Sequence, residues 1–463
     1  MGSSLRKALV VLGHALVLLV VATAAVWLSV RITPLQSVSA AGQTVQVGAV
    51  PPDGGLSGPG ELDLFGQKIA TRPHFDGPIR PRLKLTRITF DAEAAQLLRS
   101  GRGHAALSQV GGDLAAGWWR YAVWETAVSA GLMLLVVAAA TGIRRTPPRR
   151  TVVLLGTGLV TVIAVNAVGF SLLAAGTPRV LHEVRTLDDL VGREPPSPVR
   201  PAAGPALPGV RAVVLGDSTA AGTGNRAMPG GDALDKACGR SRDAFARKLA
   251  EVNGWDVLNL ACSGATVRDG VLGTQQLSGR SAPAQLAVAQ RAAGASVVTL
   301  SIGANDVRWQ DLVRLCAAAP VCDDRATHAY FRDLLSRFTL DYQELLRHLA
   351  ALPQHPRVLV NEYYDPFGRT VDCLKKEGLT LQKAQVLRAR LTELNTVLRQ
   401  GALASGFTAV RPDFTGHELC SKDPFVQGPT ARAPLHPTAA GELVIALANQ
   451  QALTRPPGRA TPS

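Results

Sequence analysis

The segment RAVVLGDSTAAG, residues 211–222, joins a run of apolar residues to a Gly-Asp-Ser turn that small residues follow. The apolar part has the length and composition of a buried β-strand. Gly, Asp and Ser are also ordinary turn residues after any strand, so this segment alone does not separate a nucleophilic Ser218 from a loop serine. The rest of the chain decides between the two interpretations.

Four further apolar segments follow, and helical patterns separate them. We predict strands over residues 211–216, 255–260, 296–302, 357–363 and 407–410. We predict helices over residues 242–253, 283–293, 326–351, 380–403 and 438–452. Strands that alternate with helices predict an α/β domain with a parallel sheet covered on both faces. Ligands bind beyond the carboxyl ends of the strands in such sheets, and Ser218 would lie at that edge.

Three more residues suited to acyl chemistry occur at the ends of predicted elements. Gly264 in ACSGAT follows the second strand, Asn305 in GAND follows the third, and His436 in PLHPTAAG precedes the last helix. Ser218 can attack an acyl carbon while His436 takes its proton. The N–H groups of Ser218 and Gly264 and the Asn305 side-chain amide can stabilise the oxyanion. Taken singly, each residue also fits an ordinary turn or helix cap, but together they favour a nucleophilic Ser218.

These motifs resemble the sequence blocks of a known family. GDS, the Gly of CSGAT, GAND and a late HP resemble, in this order, the four blocks of the SGNH (GDSL-type) hydrolases. The resemblance covers residues 210–455 and implies a flavodoxin-like three-layer α/β/α fold with ester hydrolysis as its activity. It implies Ser218 as nucleophile, Gly264 and Asn305 as oxyanion donors and His436 as base. No metal or organic cofactor is implied.

One position departs from the pattern of this family. The family usually has Asp three residues before the catalytic His, where it orients the imidazole and stabilises its cation. That position is Ala433 here. Some secreted relatives use a backbone carbonyl instead, and the Ala433 carbonyl is our first candidate. Asp413 and Asp423 are alternatives that their spacing does not support.

All six cysteines follow the last long apolar segment of the chain. An even number in one region predicts disulfides in an oxidising compartment, but spacing alone does not decide their pairing. No CxxC or Cys/His spacing supports a zinc site. Their layout resembles that of secreted actinobacterial esterases and lipases of the same family, which implies the pairs Cys238–Cys262, Cys316–Cys322 and Cys373–Cys420.

Three segments are long and apolar enough to cross a bilayer, which takes about 20 residues. They run over about 8–30, 121–143 and 151–175. Basic residues flank these segments at Arg6-Lys7 and in RRTPPRR (144–150). Because basic residues are enriched on the cytoplasmic side of a membrane, we predict that the N-terminus and this loop are cytoplasmic. A cleaved signal peptide with SVSA before Ala41 is the alternative for the first segment, although such signals have only about 7–15 apolar residues.

The net charge is +14, and the basic residues cluster beside these apolar runs. A nucleic-acid-binding protein would instead have them on one basic face with interleaved aromatics, so the pattern favours a membrane as the partner. We therefore divide the chain by residue number. The predicted regions are 1–30 (N-terminus and first span), 31–120 (an extracytoplasmic loop region with β-strands at QTVQV, 43–47, and LKLTRITF, 83–90), 121–175 (second and third spans), 176–209 (Pro-rich tether), 210–455 (extracytoplasmic hydrolase domain) and 456–463 (tail).

Together these patterns predict a membrane-anchored extracytoplasmic serine esterase or lipase. We expect its substrate to be a lipid, an acylated glycan or a small lipophilic ester, with the lipid bilayer as its other partner and no nucleic acid. One alternative is an O-acyltransferase that uses the same Ser218–His436 site on a cell-envelope glycan. The other alternative is a non-catalytic membrane sensor or scaffold.

Overall fold

A computed structural model describes residues 2–40, 43–51, 55, 57–88, 103–183, 190–192 and 199–455. The contacts divide the chain into two compact units, one of residues 1–64 and 68–196 and the other of residues 65–67 and 197–463. The predicted tail 456–463 lies outside the described residues, as do 184–189 and 193–198 of the predicted tether.

The first unit combines three long helices with a five-stranded sheet. Its elements are α1 (Gly2–Ile32), β1 (Gln36–Ala40), β2 (Gln43–Val50), β3 (Ser57–Leu64), β4 (Gln67–Asp76), β5 (Arg80–Ile88), α2 (Gly103–Ile143) and α3 (Pro148–Glu183). The sheet order is β1-β2-β5-β3-β4, in which β5 pairs antiparallel with β2 and parallel with β3. The predicted strand 43–47 lies in β2, and 83–90 lies in β5 up to Ile88, with 89–90 outside the described residues.

The three helices each hold a segment that is long and apolar enough to cross a membrane. These segments are Val11–Ile32, Gly112–Ile143 and Pro148–Ala174. A buried polar cluster joins the helices, because Ser29 and the Asn166 amide both donate to the Glu125 carboxylate. Such hydrogen bonds between helices are a usual means of association in lipid. Helix α3 continues to Glu183, so residues 176–183 of the predicted tether are helical.

The second unit is built on a parallel sheet. Its strands are β6 (Val210–Gly216), β7 (Asp256–Asn259), β10 (Val297–Ser301), β11 (Arg357–Asn361) and β12 (Thr408–Val410), and β8 (Gln275–Leu277) with β9 (Arg280–Ala282) forms a separate hairpin. The order β12-β11-β10-β6-β7 confirms the predicted five-stranded parallel sheet. This is the flavodoxin-like order, whose ligand crevice lies between the first and third strands, here β6 and β10.

Helices cover this sheet. They are α4 (Ser218–Ala221), α5 (Ala233–Ala237), α6 (Phe245–Asn253), α7 (Gln285–Ala289), α8 (Trp309–Ala318), α9 (Arg325–Ala350), α10 (Leu381–Ala404) and α11 (Ala439–Thr454), with a 3₁₀ turn at Asp372–Glu377. Helix α6 packs on α11 and α9 packs on α10, and both α10 and α11 contact β11 and β12. Asp324, Thr380 and Thr438 cap α9, α10 and α11 by accepting N–H groups of the first turn.

The central strands are apolar on both sides because helices cover both. All five residues of β10, VVTLS, are buried, and in β6 only Arg211 is exposed. The two strands run in register from Ala212 opposite Val297 to Gly216 opposite Ser301. The chain therefore leaves both strands at the same level, and the residues that follow them meet at one edge of the sheet.

Leu359→Ala tests the core of this sheet. Leu359 is fully buried on β11, and its truncation is expected to lower the stability of the second unit by about 2–5 kcal/mol. The midpoint of thermal unfolding of the full chain in detergent should fall by roughly 5–20 °C. Leu403→Ala is the matched control, because Leu403 is 55% exposed on α10, and it should leave the midpoint almost unchanged. Equal effects of the two variants would contradict this description of the core.

Candidate active site

The turn after β6 is held by contacts that only glycine allows. Gly216 has φ +146°, and a Cβ placed on it would lie 2.2 Å from the Ser301 carbonyl oxygen of β10. The Gln285 side chain accepts from the Gly216 N–H (2.7 Å) and donates to the Gly216 carbonyl (2.9 Å). These contacts determine the point at which Asp217 and Ser218 leave the sheet.

Ser218 is the first residue of α4 and faces the imidazole of His436. The distance from its Oγ to His436 Nε2 is 2.7 Å. Asp217 caps the helix, since its Oδ1 accepts the N–H of Thr219 at 2.9 Å. N–H groups in the first turn of a helix have no partner within the helix, which leaves the Ser218 N–H available to a ligand. The structure thus brings together Ser218 and His436, which the sequence separates by 218 positions.

The other ring nitrogen of His436 bonds to a backbone carbonyl. His436 Nδ1 lies 3.0 Å from the carbonyl oxygen of Pro434, the residue after our first candidate, Ala433. Leu435 has a left-handed φ of +69°, and in this tight turn the Ala433 carbonyl accepts the backbone N–H of His436 at 3.3 Å instead. Burial lowers the pKa of His436, and the carbonyls of Pro434 and Ala433 offset part of that shift.

The two aspartates considered as alternatives have other partners. Asp413 accepts hydrogen bonds from the backbone N–H and hydroxyl of Thr415. The described contact of Asp423 is through its backbone carbonyl, which lies 2.9 Å from His417 Nδ1. In the described part of the chain, therefore, the hydrogen bonds of the His436 ring go to Ser218 and to the Pro434 carbonyl.

Asn305 lies beside the Ser218–His436 pair, whereas Gly264 lies outside the pocket that this pair lines. The Asn305 amide donates to the Ala265 carbonyl at 2.9 Å, which uses one of its two N–H groups. Asn305 lines the same pocket as Ser218 and His436. Gly264 precedes Ala265 in a turn with φ +80° and is not among the residues that line that pocket.

The pocket in front of Ser218 is mostly apolar. Its enclosed volume is about 50 Å³, and it opens to solvent. Its apolar and aromatic walls are formed by Trp309, Tyr363, Tyr364, Pro366, Leu391, Leu394 and Leu435. Among the described residues, His, Cys, Asp and Glu side chains form no group of three or more that could hold a metal ion.

Tyr363 connects three strand ends and was not singled out from the sequence. Its hydroxyl donates to Asp217 Oδ2 at 2.5 Å and accepts the Ala304 N–H at 3.0 Å. The Asn395 side chain pairs with both backbone groups of Tyr363, at 2.8 and 2.7 Å. Tyr363 follows β11 just as Asn305 follows β10, so the rule that located Asn305 could also have located Tyr363.

Two buried carboxyl groups lie under the site. Burial raises the pKa of Asp217 to about 6, although its bonds to Tyr363 and Thr219 partly oppose the shift. Burial also raises the pKa of Asp306 to about 7, against the opposing effect of the Val267 N–H that its Oδ1 accepts at 3.0 Å. Asp306 follows Asn305 directly, so its bond to Val267 ties the Asn305 turn to the Gly264 loop.

Three disulfides hold the loops around the sheet. They are Cys238–Cys262, Cys316–Cys322 and Cys373–Cys420, which are the pairs that the resemblance implies. The first of these joins the segment after α5 to the turn that carries Gly264.

About half of this chain is similar in sequence to known proteins. Residues 214–443 match the GDSL-like lipase/acylhydrolase family. The chain is 31% identical over 241 residues to Lipase 1 of Streptomyces coelicolor, an alignment that covers 50% of this chain and 81% of that protein. It is 27% identical over 239 residues to a lipase of Streptomyces rimosus, again with 50% and 81% coverage. The crystal structure of the extracellular S. rimosus lipase matches 52% of this chain and 99% of its own, at 22% identity and a TM-score of 0.43.

These matches identify the second unit as an SGNH-hydrolase domain, an ester-hydrolase class with a parallel α/β sheet. The chain belongs to the GDSL-like lipase/acylhydrolase family. The family and fold expected from the sequence motifs are therefore confirmed.

Asp306→Asn tests the buried carboxyl beneath the site. Because the pKa of Asp306 is about 7 in the folded protein and 3.8 ordinarily, the folded state binds more protons than the unfolded state between these values. The contribution of Asp306 to stability is therefore most favourable at acid pH and is lost as pH rises from about 4 to 7. Asp306→Asn keeps the bond to Val267 without the charge, so we expect a higher unfolding midpoint than wild type at pH 8 and a smaller gain at pH 5.

The control for this test is Asp256→Asn, an exposed carboxylate on β7. Its unfolding midpoint should follow wild type at every pH. A gain for Asp306→Asn that does not change between pH 5 and 8 would contradict the raised pKa.

Proposed function

We propose that this protein is a membrane-anchored serine esterase or lipase that hydrolyses carboxylic esters through an acyl-enzyme on Ser218. The observation that carries the proposal is the 2.7 Å contact between Ser218 Oγ and His436 Nε2 at the edge of a largely apolar pocket. Membership of the lipase/acylhydrolase family supports the reaction class.

The tautomer of His436 supports its role as the base. With the Nδ1–H donating to the Pro434 carbonyl, the lone pair of Nε2 points at Ser218 Oγ. As Oγ attacks the carbonyl carbon of the ester, its proton passes to Nε2. The carbonyl π electrons move to the oxygen, and the Ser218 N–H and the Asn305 amide stabilise the resulting oxyanion, with the Gly264 N–H as the third donor that the family resemblance implies.

Collapse of this intermediate breaks the bond to the alcohol oxygen, which leaves with the proton from Nε2. Water then attacks the acyl-Ser218 ester, again giving its proton to His436, and the acid is released as Ser218 Oγ recovers a proton. The imidazolium formed in both steps is stabilised by a carbonyl dipole rather than by a carboxylate. Burial lowers the pKa of His436, which favours the free base that this step needs.

The pocket lining supports an acyl group with substantial apolar surface. Leu391 and Leu394 of α10 and Trp309 of α8 present side chains that bind hydrocarbon more favourably than a charged group. Lipids and lipophilic esters are accordingly the substrate class that we propose. The two relatives named lipases agree with this choice.

The N-terminal helices support attachment to a membrane. Three helices have the length and composition of spans. Arginines lie at positions 144 and 145 between the second and third segments and at positions 149 and 150 at the start of the third. Positive charge on the cytoplasmic side would put residues 31–120 and the hydrolase domain, 210–455, outside. Disulfides in the second unit suit an oxidising compartment.

Hydrolysis of p-nitrophenyl esters from acetyl to palmitoyl tests the reaction. We expect the full chain in detergent to hydrolyse them, with Ser218→Ala and His436→Ala lowering kcat by at least about 10³-fold because each removes a group that acts in the transition state. Ser278→Ala replaces an exposed serine and should retain wild-type activity.

The chain-length profile then separates an acetylesterase from a lipase. Folded wild-type protein with no more activity than Ser218→Ala would contradict the proposal. Transfer of the acyl group to an added glycan acceptor in excess of hydrolysis would favour the acyltransferase instead.

Labelling of introduced cysteines in intact cells tests the orientation. Ser278→Cys, in the hydrolase domain, should react with a membrane-impermeant maleimide, since positive charge at 144–150 predicts that this domain is outside. Pro147→Cys should react only after the cells are permeabilised, because it lies in the short loop between the second and third spans. Wild type, with all six cysteines in disulfides, is the unlabelled control. The reverse labelling pattern would contradict the topology.

A further inference from the structure

The turn that carries His436 is tied to the Ser218 helix by two side-chain amides. Asn225 Nδ2 donates to the Gly222 carbonyl at 3.1 Å and to the Pro437 carbonyl at 3.0 Å. Gln427 Nε2 donates to the Thr223 carbonyl and to the same Pro437 carbonyl, both at 2.9 Å. Each amide thus joins the end of α4 to the residue that follows His436.

The residues whose carbonyls accept these amides, Gly222 and Thr223, are themselves bonded to Ser218. The N–H groups of Gly222 and Thr223 both bond to the Ser218 carbonyl, Thr223 at 3.0 Å. On the other side, Pro437 has no N–H, so its carbonyl is the one backbone group through which it can be held. Its oxygen accepts from both Asn225 and Gln427 and uses both lone pairs.

The backbone of Gln427 also pairs with the turn of His436. The Gln427 N–H donates to the His436 carbonyl at 2.7 Å, and the Leu435 N–H donates to the Gln427 carbonyl at 3.0 Å. Gln427 is 8% exposed, and a Cβ on Gly224 would lie 2.3 Å from Gln427 Oε1. Gly224 has φ +90° and no Cβ, which lets the chain pass close against this amide.

These hydrogen bonds take the place of a carboxylate beside the imidazole, which this site lacks. A carboxylate next to the imidazole would both orient the ring and limit its distance from the serine. Here the Pro434 carbonyl orients the ring, but it belongs to the same turn as His436 and cannot hold that turn against α4. Asn225 and Gln427 supply the hydrogen bonds between the two segments.

We propose that Asn225 and Gln427 are positioning residues that maintain the distance between Ser218 Oγ and His436 Nε2. This inference rests on the proposed esterase activity. Both amides act through His436 in acylation and in deacylation, so their loss slows both steps and leaves KM nearly unchanged.

The test compares Gln427→Met and Asn225→Leu, which keep the size of the side chain and remove the donors, in the full chain in detergent. Gln450→Met is the matched control, since Gln450 forms a reciprocal amide pair with Asn253 at 2.7 and 3.1 Å and is not a lining residue of the pocket. We expect kcat on a p-nitrophenyl ester to fall by about 10- to 100-fold in each site variant, because a displacement of about 1 Å has an effect of this size. KM should stay within about twofold, and the control should match wild type.

Gln427→Glu and Asn225→Asp provide a second readout that keeps the shape of each side chain. A carboxylate that faces two carbonyl oxygens repels them, so at pH 8 these variants should lose more kcat than Gln427→Met and Asn225→Leu. The rate at which a fluorophosphonate labels Ser218 should fall in parallel, since it requires the same base.

The outcomes separate this inference from the proposed function. Wild-type protein without Ser218-dependent hydrolysis would contradict the esterase itself. Active wild type with site variants that match Gln450→Met would overturn the positioning role alone. A loss of kcat that equals the fraction of unfolded protein, with normal fluorophosphonate labelling of the folded fraction, would also overturn it.

Discussion

The close approach of β6 and β10 at their carboxyl ends is the constraint on which the rest of the site depends. Gly216 and Ser301 lie opposite each other with no room for a Cβ between them, and the Gln285 amide bonds both backbone groups of Gly216. A larger residue at 216 would push the strands apart. The strands pair in register up to this contact, so the turn of Ser218 and the turn of Asn305 begin at the same level.

A buried polar network carries that constraint to a third strand. Tyr363 is the second residue after β11. Its hydroxyl donates to Asp217 and accepts the Ala304 N–H. Asp217 in turn caps the Ser218 helix, so one phenol links the turn of Ser218 to the turn of Asn305. Buried networks of this kind are stabilising only when their members are satisfied, and the raised pKa of Asp217 reflects the cost of placing a carboxyl there.

Position 433 holds no carboxylate, so other groups orient the His436 ring and hold its turn in place. The Pro434 carbonyl sets the tautomer of His436, and the amides of Asn225 and Gln427 connect its turn to α4. Burial lowers the pKa of His436, and a ring in its neutral form can be held by neutral dipoles. The consequence is a site that depends on backbone geometry more than on charge pairing.

The sequence by itself determined the family, the parallel sheet and the residues at the ends of its strands. Mostly apolar runs such as VVLG and VVTLSI are typical of strands that are buried on both faces, and Asp217-Ser218 and GAND follow them directly. Those patterns are local, so composition and spacing are enough to predict the strands. The same holds for the three apolar segments long enough to span a membrane.

Only the tertiary structure decided which groups surround His436. The choice of Pro434 over Ala433 depends on the left-handed backbone of Leu435, and no spacing rule predicts a non-glycine residue in that conformation. Asn225, Gln427 and Tyr363 meet their partners across as many as 212 positions of the chain. Such contacts arise from how the sheet and its loops pack, which a reading of neighbouring residues does not contain.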